Sequence, residues 1–509
     1  MTHTIMTPQD VDMITRKGLS VDAVMHQLDI FRRGFQPMRL DRPCTMDDGI
    51  VTIPADQRHI YIEAHDEAAR QGKMMKFVPA SGAASRMFKD WFEFRDMEDF
   101  NESHDAQMIA DDLPNYPFYN DLKKVLSRKG LDIASLSEND DFTTILDHIL
   151  TAEGLNYGHL PKAVLKFHSY GEYSRTALEE HLVEAVGYIR DSNRNCRIHF
   201  TISSEHQSDV EKHITDVVKL YEFRYDTRYD IMVSLQLSST DTIAVDTANQ
   251  LFRDEAGKLI FRPGGHGALL KNLNTINHDI IFVKNIDNIV PDRLKPDTIL
   301  FKKVLGGYLV LLQDRIHSHI RDLEKDNVSD KTITDIGSFC RDTLSVTLPS
   351  KFEDFPHTRK IQALIDILNR PVRVCGMVKN EGEPGGGPFW VIKNGTPSLQ
   401  IIEQAQVDMA SEEQRSIWSS STHFNPVDIV CGVKDHRGAK YDLEAFVDRS
   451  AFFISEKSFE GRQLKALEHP GLWNGAMAAW NTVFVEVPIM TFNPVKTVRD
   501  LLRTEHREM

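Results

Sequence analysis

Four basic side chains and one aspartate stand where charge could meet phosphate. Asp287 lies near the end of the run HDIIFVKNIDN, which reads as a buried strand from Ile280 to Val283 ending in an exposed carboxylate. Such a residue suits a divalent cation, because magnesium takes one or two carboxylates and fills its shell with phosphate oxygens and water. Arg86 and Lys89 follow a small-residue loop in PASGAASRMFK, Lys162 sits in PKAVLKF, and Lys496 in FNPVKTVRDLL. A lysine reaches phosphate as a compact point charge. The Gln236 amide could pair with the donor–acceptor edge of a base. His266, in the PGGHG loop at 263–267, could contact a base or a ribose. Glu383, Glu403 and Asn425 are polar groups on or beside strand segments and could bind a hydroxyl-rich ligand. Taken singly, each also fits a solvated side chain, a turn or a capping residue.

The elements that must hold these groups alternate in type. KMMKFVPASGAASRMFKDWFEF reads as strand, small-residue loop and helix, the order in which phosphate loops are built. PGGHG leads into a short helical run, ALLKNL, and then into the strand ending at Asp287. Between them, RTALEEHLVEAVGYIRDS reads as an amphipathic helix, CRIHFTIS as a strand, EHQSDVEKHITDVVKLYEF as a helix and YDIMVSLQLSS as a strand. That alternation predicts a parallel or mixed α/β sheet, with ligands at the carboxyl ends of its strands. TIAVDTANQLFRDEAGKLIFRP reads as a hairpin turning at Ala256-Gly257. Residues 1–55 read as a helical preface, with Thr7 capping and Pro8 at the first helical position. Helix-rich text fills 90–158 and 295–370, strands return around the glycine-rich loop 382–387, and the last residues read as a loop and a closing helix.

Composition narrows the partners. The 509 residues carry a net charge of −15, which argues against general nucleic-acid binding. The five cysteines, Cys44, Cys196, Cys340, Cys375 and Cys431, form no CxxC pair, which fits a reducing cytoplasmic setting rather than a disulfide framework. No stretch reaches the roughly 18 apolar residues of a membrane helix, and MTHTIMTPQDVDM lacks a basic-then-apolar signal layout.

Read in order, these segments resemble the sugar-nucleotide pyrophosphorylases of the UDP-glucose and UDP-N-acetylhexosamine type. Within that superfamily the chain looks most like an uncharacterised bacterial family of this length. PASGAASRMFK resembles the nucleotide signature loop, PKAVLKF the Pro-Lys segment, and Gln236 with PGGHGALLKNL the uridine-contacting glutamine and glycine loop. FVKNIDNIV is similar to the strand whose Asp holds the metal; EGEPGGG, QIIEQAQ and THFNPVDIV look like the sugar-contacting segments; FNPVKTVRDLL resembles the late Pro-Val-Lys segment. The resemblance implies an α/β, glycosyltransferase-A-like mixed sheet flanked by helices, with helical insertions near 90–158 and 295–370 and no C-terminal β-helix. The expected division is a helical segment at 1–72, a nucleotidyltransferase domain at 73–455 and a segment at 456–509 that completes the site.

The implied activity is uridylyl transfer from UTP to a sugar 1-phosphate with Mg2+. Asp287 would hold the metal, and Arg86, Lys89, Lys162 and Lys496 would meet phosphates. Ala80, Ser81, Gly82, Gln236, Gly264, Gly265, His266 and Gly267 would contact the nucleotide. Glu383, Gly385, Gly386, Glu403 and Asn425 would hold the sugar. Another nucleoside triphosphate or phosphorylated acceptor, and a non-catalytic nucleotide-sugar-binding protein, stay open as alternatives. A monomer or small oligomer is expected. Ala83 and Ala84 stand where that family favours glycine; if either needed positive φ, the cost would be about 1 kcal/mol.

Overall fold

The computed structural model describes residues 6–382 and 385–507. The chain is α/β and forms two compact units: Met1–His65, Gln236–Phe282 and Val304–Pro488 make the first, while Asp66–Leu235, Val283–Lys303 and Ile489–Met509 make the second.

In the first unit a mixed sheet runs in the order Thr45–Met46, Gly49–Val51, Asn481–Glu486, Val372–Lys379, His423–Gly432, Ile280–Val283. Asn481–Glu486 pairs in parallel with Val372–Lys379, and His423–Gly432 pairs with it antiparallel. The middle strands Val372–Lys379 and His423–Gly432 are buried along their length except at Lys379, as strands covered on both faces must be. A second, antiparallel sheet holds Phe261–Arg262, Thr242–Val245, Arg462–Glu468 and Phe453–Phe459. The 250s loop out between two of its strands through the bridge Arg253↔Leu259, as the Ala256-Gly257 turn implies. Helices Pro8–Arg16 and Val21–Arg33 pack Ile14, Val24, Leu28 and Phe31 onto Ile243, Val245, Leu259 and Leu467 of this sheet. Thr7 closes a capping box with Asp10 ahead of Pro8, as its sequence implies.

The second unit is built on three parallel strands, Met74–Pro79, Asn195–Ile202 and Arg228–Leu235, with Gln207–Tyr225 as a crossover helix. Helices at Lys89–Arg95, His104–Asp112, Tyr119–Arg128, Ile133–Glu138 and Phe142–Leu150 form the insertion. Trp91, Tyr116, Phe118 and Tyr157 supply its aromatic core.

Three sequence expectations are corrected here. Residues 40–51 are not helical: Leu40–Pro43, Thr45–Met46 and Gly49–Val51 are short strands, and Leu40–Pro43 pairs with Gly387–Lys393. Strands of two to four residues carry too little alternation to be read from the text. The helix Ala177–Val186 is not amphipathic; Ala177 through Ala185 are all buried, including Glu179, Glu180, His181 and Glu184. The closing segment is a pair of 3-10 turns, Val498–Leu502 and Thr504–His506, rather than an α-helix.

Candidate functional site

Backbone pairing fixes the position of Asp287. Lys284 and Ile286 donate their N–H groups to the carbonyls of Phe77 and Pro79, so the chain past Val283 lies along the strand that opens the small-residue loop. On the other side Asn288 bridges Pro494, Val495 donates to the Asp287 carbonyl at 3.0 Å, and Asn493 donates its N–H to the Asn288 side chain at 3.0 Å. Asp287 is therefore buried, at 7% exposure, and not exposed as its place at a strand end suggests.

Two ammonium groups converge on it. Lys162 Nζ donates to Asp287 Oδ2 at 3.0 Å and to the Val495 carbonyl at 2.8 Å. Lys496 Nζ donates to the same Oδ2 at 3.0 Å. Burial pushes the Asp287 carboxyl up, but the charges of Lys162 and Lys496 outweigh it and hold the group below the usual carboxylate range. Burial draws Lys162 below the ordinary lysine value against the pull of Asp287. Asp287 Oδ1 is buried and has no hydrogen-bond partner among the described residues.

That free oxygen fits one coordination position of magnesium, whose other ligands would come from water and phosphate. Among the described residues no group of three or more His, Cys, Asp or Glu is placed to hold a metal unaided. Asp287 would be the protein's ligand, with Lys162 and Lys496 beside it.

The small-residue loop holds Lys162 in place. Ala83 bridges Pro161, Ala84 donates to the Leu160 carbonyl, and Lys162 donates its own N–H to Gly82. Ala83 has φ −66° and Ala84 is not among the residues with positive φ, so alanine costs no backbone strain at either position. A Cβ at Gly82 would meet open space. Ala80 is buried and Ser81 half-buried. Arg86 ends a 3-10 turn, exposed, and Lys89 opens the next helix, 72% exposed and paired with Glu93 at 3.4 Å. The close cluster is thus Lys162, Asp287 and Lys496.

Sequence reasoning missed what lies beneath it. The buried helix Ala177–Val186 carries Glu184, which accepts from Lys76 at 3.0 Å and from Lys284 at 2.6 Å. His181 Nε2 donates to the Ile286 carbonyl, one residue before Asp287. Burial lowers Lys76 to about 7, although Glu184 pulls the other way. The signal was available: four ionisable residues on a helix otherwise made of Ala, Leu and Val need buried partners.

In the first unit two of the candidate sugar residues, Gly385 and Glu403, line a cavity of about 510 Å3 together with Gly387, Phe389, Trp418 and His423, among others. His266 and Glu403 meet there. Leu472 N–H donates to His266 Nδ1 at 3.0 Å, which leaves Nε2 to donate to Glu403 Oε1 at 3.1 Å. The imidazole stacks on Trp473 with centroids 4.0 Å apart, and Asn474 also donates to Glu403. Burial raises the Glu403 carboxyl, and these donors more than offset it. Both nitrogens of His266 are therefore spent on protein, and its role here is to orient Glu403.

The glycines around it answer to packing. A Cβ at Gly264 would come within 2.4 Å of His469, one at Gly267 within 2.3 Å of the Pro470 carbonyl, and Gly265 has φ +75°. The segment His469–Asn474, HPGLWN, is thus part of the site, though the sequence reading passed over it. Asn425 sits in a bulge of His423–Gly432. Its N–H donates to Gly386, its Oδ1 accepts from Val427 N–H, and its Nδ2 has no partner. Val427 has φ +58°, a strain of about 1–3 kcal/mol for a β-branched residue, which the bulge imposes. Gly385 has φ +148°, and a Cβ there would meet the Phe424 ring at 2.3 Å. Gly386 lies against Ile401. Gln236 follows the strand Arg228–Leu235 and is half-buried. Glu383 lies outside the described residues.

The family model described as "Domain of unknown function (DUF4301)" matches residues 7–507. No curated protein matches the chain. Among solved structures the chain is similar to a mutant UDP-glucose pyrophosphorylase from Leishmania major in complex with UDP-glucose, with 13% identity, 97% of this chain and 77% of that one covered, and a TM-score of 0.46. It is similar to a uridine diphosphate N-acetylglucosamine pyrophosphorylase from Trypanosoma brucei in complex with inhibitor, with 11% identity, 98% and 82% covered, and a TM-score of 0.48. A UDP-glucose phosphorylase from Trypanosoma brucei gives 12% identity, 97% and 77% covered, and 0.47.

Proposed function

The chain belongs to that family, and from its lysine–aspartate corner we propose that it is a nucleotidyltransferase moving a uridylyl group from UTP to a sugar 1-phosphate. The observation that carries the reading is the meeting of Lys162 and Lys496 on one oxygen of buried Asp287, with the other oxygen unpartnered. A phosphate oxygen of the sugar 1-phosphate attacks the α-phosphorus of the nucleotide in line. The α–β bridging P–O bond breaks, and pyrophosphate leaves with its electrons. The attacking oxygen is already ionised, so no strong base and no covalent intermediate are needed. Positioning and charge stabilisation supply the rate.

Lys162, fixed through the Val495 carbonyl, holds one reacting phosphate, and Lys496 follows the charge that develops on the departing one. Arg86 and Lys89, both exposed, meet the leaving pyrophosphate. A magnesium ion on Asp287 would supply Lewis-acid stabilisation of the phosphates. Gln236 and the backbone of the 263–267 loop are assigned to uracil and ribose. Glu403, oriented by His266, and Asn425, with its free Nδ2, are assigned to sugar hydroxyls, together with Gly385, Gly386 and Glu383.

The test is pyrophosphate release by the purified protein from UTP, and from each other nucleoside triphosphate, across a panel of sugar 1-phosphates with magnesium. UTP should be the preferred donor. Lys496→Met should lower kcat by about 10²-fold or more, as removal of one charge-stabilising donor does elsewhere. No release with any donor and acceptor would remove the reading, and preference for another nucleotide would remove the uridine assignment of Gln236.

A further inference from the structure

We infer that the Lys162–Asp287–Lys496 corner binds a polyphosphate before it binds a divalent cation, because the two lysines hold the carboxylate closed to metal until phosphate oxygens draw Lys496 away. The inference rests on the phosphate role proposed for this corner and deepens it by fixing the order of loading.

Charge comes first. Two ammonium groups and one carboxylate leave the cluster at +1. A further carboxylate that acts on Lys162, Asp500, is already committed: its Oδ2 accepts the backbone N–H groups of Lys496 and Thr497, and its Oδ1 pairs with Arg503 at 2.9 Å. A bare cation approaching Asp287 Oδ1 therefore meets net positive charge in a buried setting, where screening is weak. A polyphosphate meets the opposite.

Geometry says which lysine moves. Lys162 is held twice, by Asp287 and by the Val495 carbonyl, and its side chain is 11% exposed. Among the described residues Lys496 makes one side-chain hydrogen bond, to Asp287, and its side chain is 48% exposed. It can turn towards an incoming phosphate without leaving a buried group unpaired. Asp287 Oδ2 then loses one of its two donors, and the carboxylate becomes available to a metal that also takes phosphate oxygens.

Two titrations on the full-length protein test this without nucleotide or turnover. Inorganic pyrophosphate is titrated calorimetrically in EDTA, and Mn2+ is followed by electron paramagnetic resonance with and without pyrophosphate. The wild type should bind pyrophosphate in EDTA and should take up Mn2+ only when pyrophosphate is present. Lys496→Met should bind Mn2+ alone at least about tenfold more tightly than the wild type, and pyrophosphate in EDTA at least about tenfold more weakly. Asp287→Asn, which removes the negative charge from beside both lysines, should bind pyrophosphate in EDTA more tightly while losing the pyrophosphate-dependent uptake of Mn2+. Should that variant not fold, Lys496→Met decides alone, its side chain being half exposed. Mn2+ binding to the ligand-free wild type as tight as to Lys496→Met would overturn the inference. So would pyrophosphate binding that requires metal. A protein that loads in the proposed order yet transfers no nucleotide keeps the inference and loses the uridylyl-transfer reading; one that turns over but loads metal first does the reverse.

Discussion

At the scale of single residues, Asp287 shows how its neighbours set the sign of a pH effect. With both lysines in place its folded-state value lies below the ordinary one. It then contributes stability above the unfolded carboxylate value, near 3.9, and loses that contribution as the pH falls through the folded value. Replacing both partners in Lys162→Met/Lys496→Met leaves burial as the dominant influence, which raises the group. The carboxylate then costs about 3–5 kcal/mol at pH 7, and protonation relieves the cost as the pH falls. The stability gap between wild type and double variant, measured by urea unfolding, should therefore shrink from pH 7 to pH 5. A gap that widens would mean that the lysines do not depress Asp287. The second residue-scale case is Gly385, where both the φ of +148° and the Phe424 ring exclude a side chain. Gly385→Ala should push Phe424 into the cavity at a cost of about 1–3 kcal/mol. Steady-state kinetics should show KM for the sugar 1-phosphate raised about tenfold with a smaller change in kcat.

Among the elements, the helix Ala177–Val186 is the one the site depends on most and the one its sequence disguised. Its four ionisable residues look like a polar face, and the periodicity alone suggests water on that side. In the structure Glu179 caps its own first turn and meets Tyr221, Glu180 meets His168 and Tyr170, His181 holds the Ile286 carbonyl, and Glu184 joins Lys76 to Lys284. No single sequence tells a solvated carboxylate from one paired with a lysine about a hundred residues away. The apolar strands, by contrast, were legible, since Ile280–Val283 is buried throughout and Asn195–Ile202 is buried without a break from Ile198 on. The helix also gives a pH signature. Burial lowers Lys76 from 10.5 to about 7. Between those values the unfolded chain holds a proton that the folded chain has shed, so stability from this group rises with pH by up to about 1.4 kcal/mol per unit. Lys76→Met fills the same space without a charge. From pH 7 to 9 the wild type should gain on the variant by about 2 kcal/mol in chemical unfolding; parallel curves would mean that Lys76 stays protonated.

For the molecule as a whole, the candidate phosphate site depends on a chain path that returns. The contacts Lys162–Asp287 and Lys496–Asp287 span 125 and 209 positions, and the unit that holds them is assembled from three separate stretches. The text shows each lysine one or two positions past a proline but not what brings them together. The last stretch is held to its own unit near its end. His506, 2% exposed, shares a hydrogen bond of 2.9 Å with His168, whose other ring nitrogen meets Glu180 at 3.0 Å, and Arg293 donates to the carbonyls of Thr504 and Arg507. These contacts lie eight or more residues beyond Lys496, yet they fix the segment that carries it. Ending the chain after Arg503 removes them, leaves His168 Nε2 unpaired in the interior, and should cost about 2–4 kcal/mol. It should also lower pyrophosphate release by more than the loss of folded protein accounts for, because Lys496 is then held only by Asp287 and its local backbone. Mn2+ uptake without pyrophosphate should rise in the same truncated chain, since a lysine on a loosened segment guards the carboxylate less well. A truncated protein that melts lower but keeps wild-type turnover per folded molecule would show that the tail serves stability alone.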